Sequence, residues 1–253
     1  MITIVVGIGQ NKNVDEAVKI LKAENPGFQL ISVNSEEEFL EKFLDKKADA
    51  YVRGSLSASL VMKHLRENEN FNRHKTDLKN GESENQINRA SYINLNDHEF
   101  LLAPVGIDEG QNNQEKLLIV EQACDFLKNI GKEPKIGVIS GGRSQDVGRS
   151  PQIDKSIIDG EKLTSIIKHK YSVKHYYILI ENAIKDKCNL ILAPDGISGN
   201  LIFRSLVLVG SGKSYGAVTL GIDQILIDTS RAQSVEGYIR ALNFAHYLAK
   251  LKM

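Results

Sequence analysis

Four segments of this sequence place arginine, glycine and small hydroxyls directly behind apolar runs: VRGSLSAS (52–59), SGGRSQDVGRS (140–150), PDGISGN (194–200) and DTSRAQS (228–234). They supply Arg53, Arg143, Arg149 and Arg231, with Ser55, Ser57, Ser140, Ser144, Ser198 and Ser230. A guanidinium fork, short hydroxyls and bare glycine backbone are the groups that hold a phosphate or carboxylate. Any one such segment also reads as an ordinary capped surface turn. Four in one chain point to a small anionic ligand.

Loops of this kind need a scaffold that gathers them. Short apolar runs alternate with helical periodicity: strand 2–6, helix 13–24, strand 28–33, helix 35–46, strand 49–52, then a helix from about 56. This βαβα rhythm predicts an α/β protein with a parallel sheet covered on both faces, whose strand ends converge their loops in one place. Ser35 with Glu38 three residues later opens the second helix, with Phe39, Leu40, Phe43 and Leu44 as its apolar stripe. The stretch 68–89 is almost wholly polar and reads as a long excursion. ASYINL and EFLLAPV flank Asn96-Asp97-His98 and predict an antiparallel hairpin, so the sheet is mixed. A helix over 113–130, a strand over 135–140, a polar loop over 141–151 and a helix over 154–168 follow. HYYILIENAI stays open between strand and helix. Strands over 189–193, 215–220 and 224–229 lead to a last helix over 234–250, with Val235, Ile239, Leu242 and Ala249 on one face.

Composition narrows the partners. The 253 residues suit one large or two ordinary α/β domains. Lysine plus arginine number 32 and so do aspartate plus glutamate, which leaves no basic field for nucleic acid or an anionic membrane. Cys124 and Cys188 have neither disulfide-framework nor zinc-ligand spacing, and the six histidines are scattered, so no metal site is expected. The N-terminal apolar run is too short to span a membrane, and a cytoplasmic protein is expected. GIG at 7–9 follows a strand, but the third glycine of a dinucleotide loop would fall on Lys12. GSGKS at 210–214 lacks the leading glycine of a P-loop, which would be Val207, and Gly210 reads as a helix-ending turn. No serine stands in a G-x-S-x-G elbow.

The ordered set of segments resembles the phosphate acetyl- and butyryltransferases. LAPDGISGNLIFRSL is similar to their P-D-x-x-x-G-N segment, and the segment from Gly216 to Ala245 to their C-terminal stretch containing D-x-S-R. ADAYVRGSLSAS, NRASYINLNDHEFLLAPVGID and KEPKIGVISGGRSQDVG match further family segments in the same order. Within that superfamily the length and SGGRSQDVGRSP look most like the methanogen marker protein 4 group, the methyltransferase-labelled Mtx subunit X proteins.

The resemblance implies two α/β domains of the isocitrate/isopropylmalate dehydrogenase type around a cleft: residues 1–103 with 231–253, and residues 104–230. Pro194 and Asp195 would end a central strand, and Gly199 and Asn200 would open the next helix toward an anion. In phosphotransacylases a coenzyme A thiolate attacks an acyl phosphate and phosphate leaves. By resemblance Arg231 binds the phosphoryl or acyl oxygen, Ser230 hydrogen-bonds the tetrahedral intermediate, and Glu236 stands next to Gly237, the family's aspartate position. Asp195, Gly199, Asn200, Ser140, Gly141, Gly142, Arg143, Ser144, Arg53, Ser55 and Ser57 would line the phosphate and substrate site. Coenzyme A and phosphate are then substrates rather than cofactors, and a homodimer is expected. Two other readings stay open: a methyltransferase component that meets a corrinoid protein, and a relative that has lost catalysis.

Overall fold

The computed structural model describes residues 1–24, 27–68 and 87–253. The chain forms two compact units, Met1–Ile87 with Ser214–Met253, and Asn88–Lys213. The joins fall at 87/88 and 213/214, where the resemblance implies 103/104 and 230/231, so residues 88–103 lie in the second unit and 214–230 in the first.

The first unit has strands β1 (Thr3–Gly7), β2 (Gln29–Val33) and β3 (Ala50–Val52), alternating with helices α1 (Lys12–Glu24), α2 (Glu36–Leu44) and α3 (Ala58–Glu67). Its later segment adds β9 (Lys213–Leu220), β10 (Ile225–Asp228) and α8 (Val235–Leu251). The order is β2-β1-β3-β10-β9. All are parallel except β9, which runs against β10. Burial of β1 and β3 on both faces explains their unbroken apolar runs. Val14, Ala17, Val18 and Leu21 form the buried stripe of α1, and α1 packs on α8. On α2, Ser35 accepts the Glu38 N–H as the sequence predicts, and Phe39, Leu40 and Phe43 enter a cluster with Val5, Tyr51 and Leu65. The buried face of α8 runs through Tyr238, Ala241, Leu242, Ala245, Leu248 and Ala249. Val235 and Ile239 lie at its margin instead of at its centre.

The second unit begins with the hairpin of β4 (Asn88–Leu95) and β5 (His98–Ala103). Asn96 and Asp97 both have positive φ, so the turn takes two residues and His98 already belongs to β5. Then come α4 (Asn113–Asn129), β6 (Lys135–Ile139), α5 (Pro151–Ile167), β7 (Ser172–Tyr177), α6 (Ile180–Lys185), β8 (Leu190–Leu192) and α7 (Gly196–Phe203). A short 3-10 turn, Ser144–Asp146, lies in the loop after β6, and a π-helical run, Arg204–Val209, extends α7. HYYILIENAI is both strand and helix, broken at Tyr177, whose φ is +57°. The order β4-β5-β8-β6-β7 puts β8 back between β5 and β6, parallel to both. Strand ends at such a reversal are where α/β proteins gather their loops.

Most of the polar stretch 68–89 lies outside the described residues. No helix among the described residues is long and apolar enough to cross a membrane.

Candidate functional site

At the carboxyl ends of the first unit's strands three loops interlock: Ile8–Asn11 after β1, Arg53–Ser57 after β3 and Thr229–Ser234 after β10. Glycine permits the approach. A Cβ on Gly54, which has φ +64°, would meet the Gly7 carbonyl, and one on Gly9, with φ +58°, would meet Ser55. GIG is therefore a close-packing signature, and the spacing that puts Lys12 at the third glycine had set aside only a dinucleotide loop.

Arg53 is the first expected ligand group that the fold puts to another use. Only 3% exposed, it pairs through Nε with Asp228 and donates to the carbonyls of Leu56 and Thr229. A buried charge needs such partners. Ser55 is also inside: its hydroxyl donates to Ile8 O and accepts from the Asn11 N–H. Ser57 caps α3, accepting from the Leu60 N–H at 3.4 Å, and meets the Ser59 hydroxyl at 3.0 Å. The polar groups of these residues are engaged in building the loops.

The turn after β10 behaves differently. Ser230 is half-buried, and among the described residues its hydroxyl accepts only from the Ala232 N–H, at 3.2 Å. Arg231 is exposed, and its guanidinium has no partner among the described residues. Backbone groups around them are held: Tyr238 Oη donates to Ser230 O at 3.0 Å, and Asn11 Nδ2 to Arg231 O at 2.7 Å. Glu236 is exposed at the second position of α8. Hydrogen bonds from its own N–H and the Ser234 side chain hold its carboxyl below the usual range. Gly237 is buried against the Gln233 side chain, which occupies the space a Cβ there would need.

In the second unit the expected ligand residues mostly satisfy one another. Helix α7 opens at Gly196, not at Gly199, and Asp195 is its N-cap, accepting the Ser198 N–H at 2.7 Å. A carboxylate already sits at that helix N-terminus. Gly199 and Asn200 lie inside the helix and pack: a Cβ on Gly199 would meet Pro104 O, and Asn200 Nδ2 donates to Val105 O at 3.0 Å. Gly196 approaches the Gly106 carbonyl in the same way, and its N–H donates to Glu109 O at 3.0 Å. PDGISGN is thus a seam between α7 and the loop after β5.

Ser140 is buried beside His175, with Oγ 2.9 Å from Nε2. Burial pushes the His175 imidazole below its ordinary range, against the opposing charge of Glu161. The Gly141 N–H donates to Ser156 Oγ at 2.8 Å, and Gly142 is buried with Ile153 beside it. Arg143 and Ser144 are exposed; the Arg143 N–H donates to Asp146, while its guanidinium has no partner among the described residues. Arg149 pairs with Asp146 at 2.8 Å.

Three residues here escaped the sequence reading. Glu109, wholly buried, holds Arg89 Nε at 2.7 Å and the Gly106 N–H at 3.2 Å. Burial raises its carboxyl against the pull of Arg89. Lys116 is 8% exposed and donates to Pro194 O at 3.1 Å; burial lowers its ammonium, with the charge of Asp159 the largest opposing influence. Asn11 links two loops. A lysine in a helical pattern looks solvated, so Lys116 left no signal; Asn11 stood in plain view at a strand-to-helix junction.

The class of fold follows from comparison of this architecture with solved structures. A branched-chain phosphotransacylase from Enterococcus faecalis superposes with a TM-score of 0.73 at 16% identity, over 98% of this chain and 99% of that one. A phosphotransacetylase from Streptococcus pyogenes gives 0.61 at 17% identity, over 99% and 94%. A 4-hydroxythreonine-4-phosphate dehydrogenase from Klebsiella pneumoniae gives 0.59 at 11%, over 98% and 100%. The fold is phosphotransacylase-like: α/β with a mixed, mostly parallel sheet. In sequence, the chain is 36% identical over 232 residues to a Methanosarcina barkeri protein named "Putative methyltransferase mtx subunit X", covering 90% of this chain and 77% of that protein. It is 38% identical over 248 residues to an uncharacterized methyltransferase of Methanocaldococcus jannaschii, covering 94% and 95%. No protein-family model matches. The chain belongs to the Mtx subunit X family.

Proposed function

We propose that this protein is a phosphotransacylase-like transferase that binds phosphate or a small acyl phosphate through Arg231 and Ser230, on an architecture of the isocitrate/isopropylmalate dehydrogenase type. One observation carries the reading: Arg231 presents a guanidinium with no partner among the described residues, on a turn whose backbone is fastened from outside. A preorganised donor is what stabilises charge developing on an acyl or phosphoryl oxygen. In the reaction a thiolate sulfur bonds to the acyl carbon, Ser230 and Arg231 hold the tetrahedral oxyanion, and the bond to phosphate breaks as phosphate leaves. The ionised carboxylate of Glu236 takes the thiol proton. Arg143, exposed on the loop after β6, is a separate anion-binding group of the second unit.

Thermal unfolding of the wild type and Arg231→Ala against phosphate, acetyl phosphate, coenzyme A and S-adenosylmethionine tests this. A ligand at 100 times its dissociation constant stabilises by about 2.7 kcal/mol. Stabilisation by phosphate or coenzyme A that disappears in Arg231→Ala supports the reading; no response to either rejects it. The relatives' methyltransferase names favour a second reading, a methyl-transfer component that meets a corrinoid protein. A response to S-adenosylmethionine alone selects it. The packing of Gln233 on Gly237 suits a third, a binding protein without turnover.

A further inference from the structure

Asn11 uses every polar group it has. Its N–H donates to Ser55 Oγ at 2.9 Å, and its Oδ1 accepts the Asn13 N–H at 2.9 Å, capping α1. Its Nδ2 donates to Arg231 O at 2.7 Å, with a longer contact of 3.5 Å to Gln233 O. Asn13 adds a second amide on the same turn, Nδ2 to Gln233 O at 3.0 Å. Together with Tyr238 on Ser230 O, donors from α1 and α8 engage the carbonyls of Ser230, Arg231 and Gln233. All of these bonds hold backbone, and none restrains the Arg231 side chain. A turn built this way has little orientational freedom left to lose when a ligand arrives.

We infer that Asn11 is a positioning residue for Arg231: the side-chain amide that caps α1 also sets the direction from which the Arg231 guanidinium meets its anion. This rests on the reading of Arg231 as the ligand-binding group. Asparagine alone suits both tasks. Serine or aspartate caps a helix equally well, but neither carries an amide donor.

Asn11→Ser is therefore the informative substitution, because it keeps a neutral cap and removes the clamp. Phosphate affinity, read by calorimetry, is expected to fall about tenfold, the equivalent of one hydrogen bond lost, while the melting temperature stays near wild type. Asn11→Ser binding phosphate as tightly as wild type overturns the inference. Arg231→Ala binding as tightly as wild type overturns the underlying reading instead. Hydrogen exchange of the 229–234 amides in the ligand-free protein gives an independent check. Faster exchange in Asn11→Ser, with α1 unchanged, is the expected result; equal exchange rejects the clamp even if no phosphate binds.

Discussion

The strand-end loops of the two units are written in the same residues and used in opposite ways. In the second unit Asp195 caps its own helix, Asn200 ties down Val105 and Ser140 meets His175, so the polar side chains knit loop to helix. In the first unit the knitting falls to Arg53, Ser55, Asn11 and Tyr238, and Ser230 and Arg231 are left less encumbered. The difference teaches that an anion-binding composition is also a loop-fastening composition. Which use a residue serves depends on whether its polar groups already have partners.

The comparison can be broken first at Arg53. Its removal takes the positive charge from beside the buried Asp228 carboxylate and a donor from the carbonyls of Leu56 and Thr229, so Arg53→Ala should lose about 3–5 kcal/mol of unfolding free energy in urea. Arg231→Ala should leave stability within about 0.5 kcal/mol, as exposed substitutions do, yet abolish the stabilisation of about 2.7 kcal/mol given by saturating phosphate. Equal losses in the two variants would erase the distinction between fastening and binding arginines.

Gly237→Asp sharpens the same contrast. Placing a carboxylate where the resemblance to phosphotransacylases implies one drives its Cβ into Gln233, and should cost about 1–3 kcal/mol by overpacking. Gln233→Gly in the same chain should recover part of that loss, measured by denaturant midpoint. In the second unit, Asp195→Ala removes a cap and should cost about 1 kcal/mol without altering phosphate binding.

The smallest effect concerns pH. The folded-state pKa of His175 lies below its unfolded value, so on acidification the unfolded chain takes up a proton before the folded one does. Stability should fall as pH drops through the unfolded histidine range near 6.5, and level off below the folded pKa. His98 and His246 are lowered by burial as well and act in the same direction. The informative quantity is therefore the difference between wild type and His175→Gln in melting temperature across pH 7.5 to 5, where the variant should show the flatter profile.

The sequence determined by itself what depends on neighbours along the chain. Apolar periodicity located the strands and helices, Ser35 with Glu38 marked a real cap, and Asn96-Asp97 marked a real hairpin turn, because each of these signals acts within a few residues. The ordered set of strand-end segments also sufficed to recognise the phosphotransacylase-like fold and the Mtx subunit X family. Only the tertiary structure decided which of those segments were free. Arg53 and Arg231 are the same residue in similar loops, but one meets Asp228, 175 residues away, and the other meets no partner for its guanidinium among the described residues. Asp195 looked like the end of a strand, and Gly199 like the start of a helix, until the approach of Gly196 and Gly199 to Gly106 and Pro104 fixed the helix one turn earlier. The availability of a polar side chain is set by contacts distant in sequence, and those contacts have no local spacing to read.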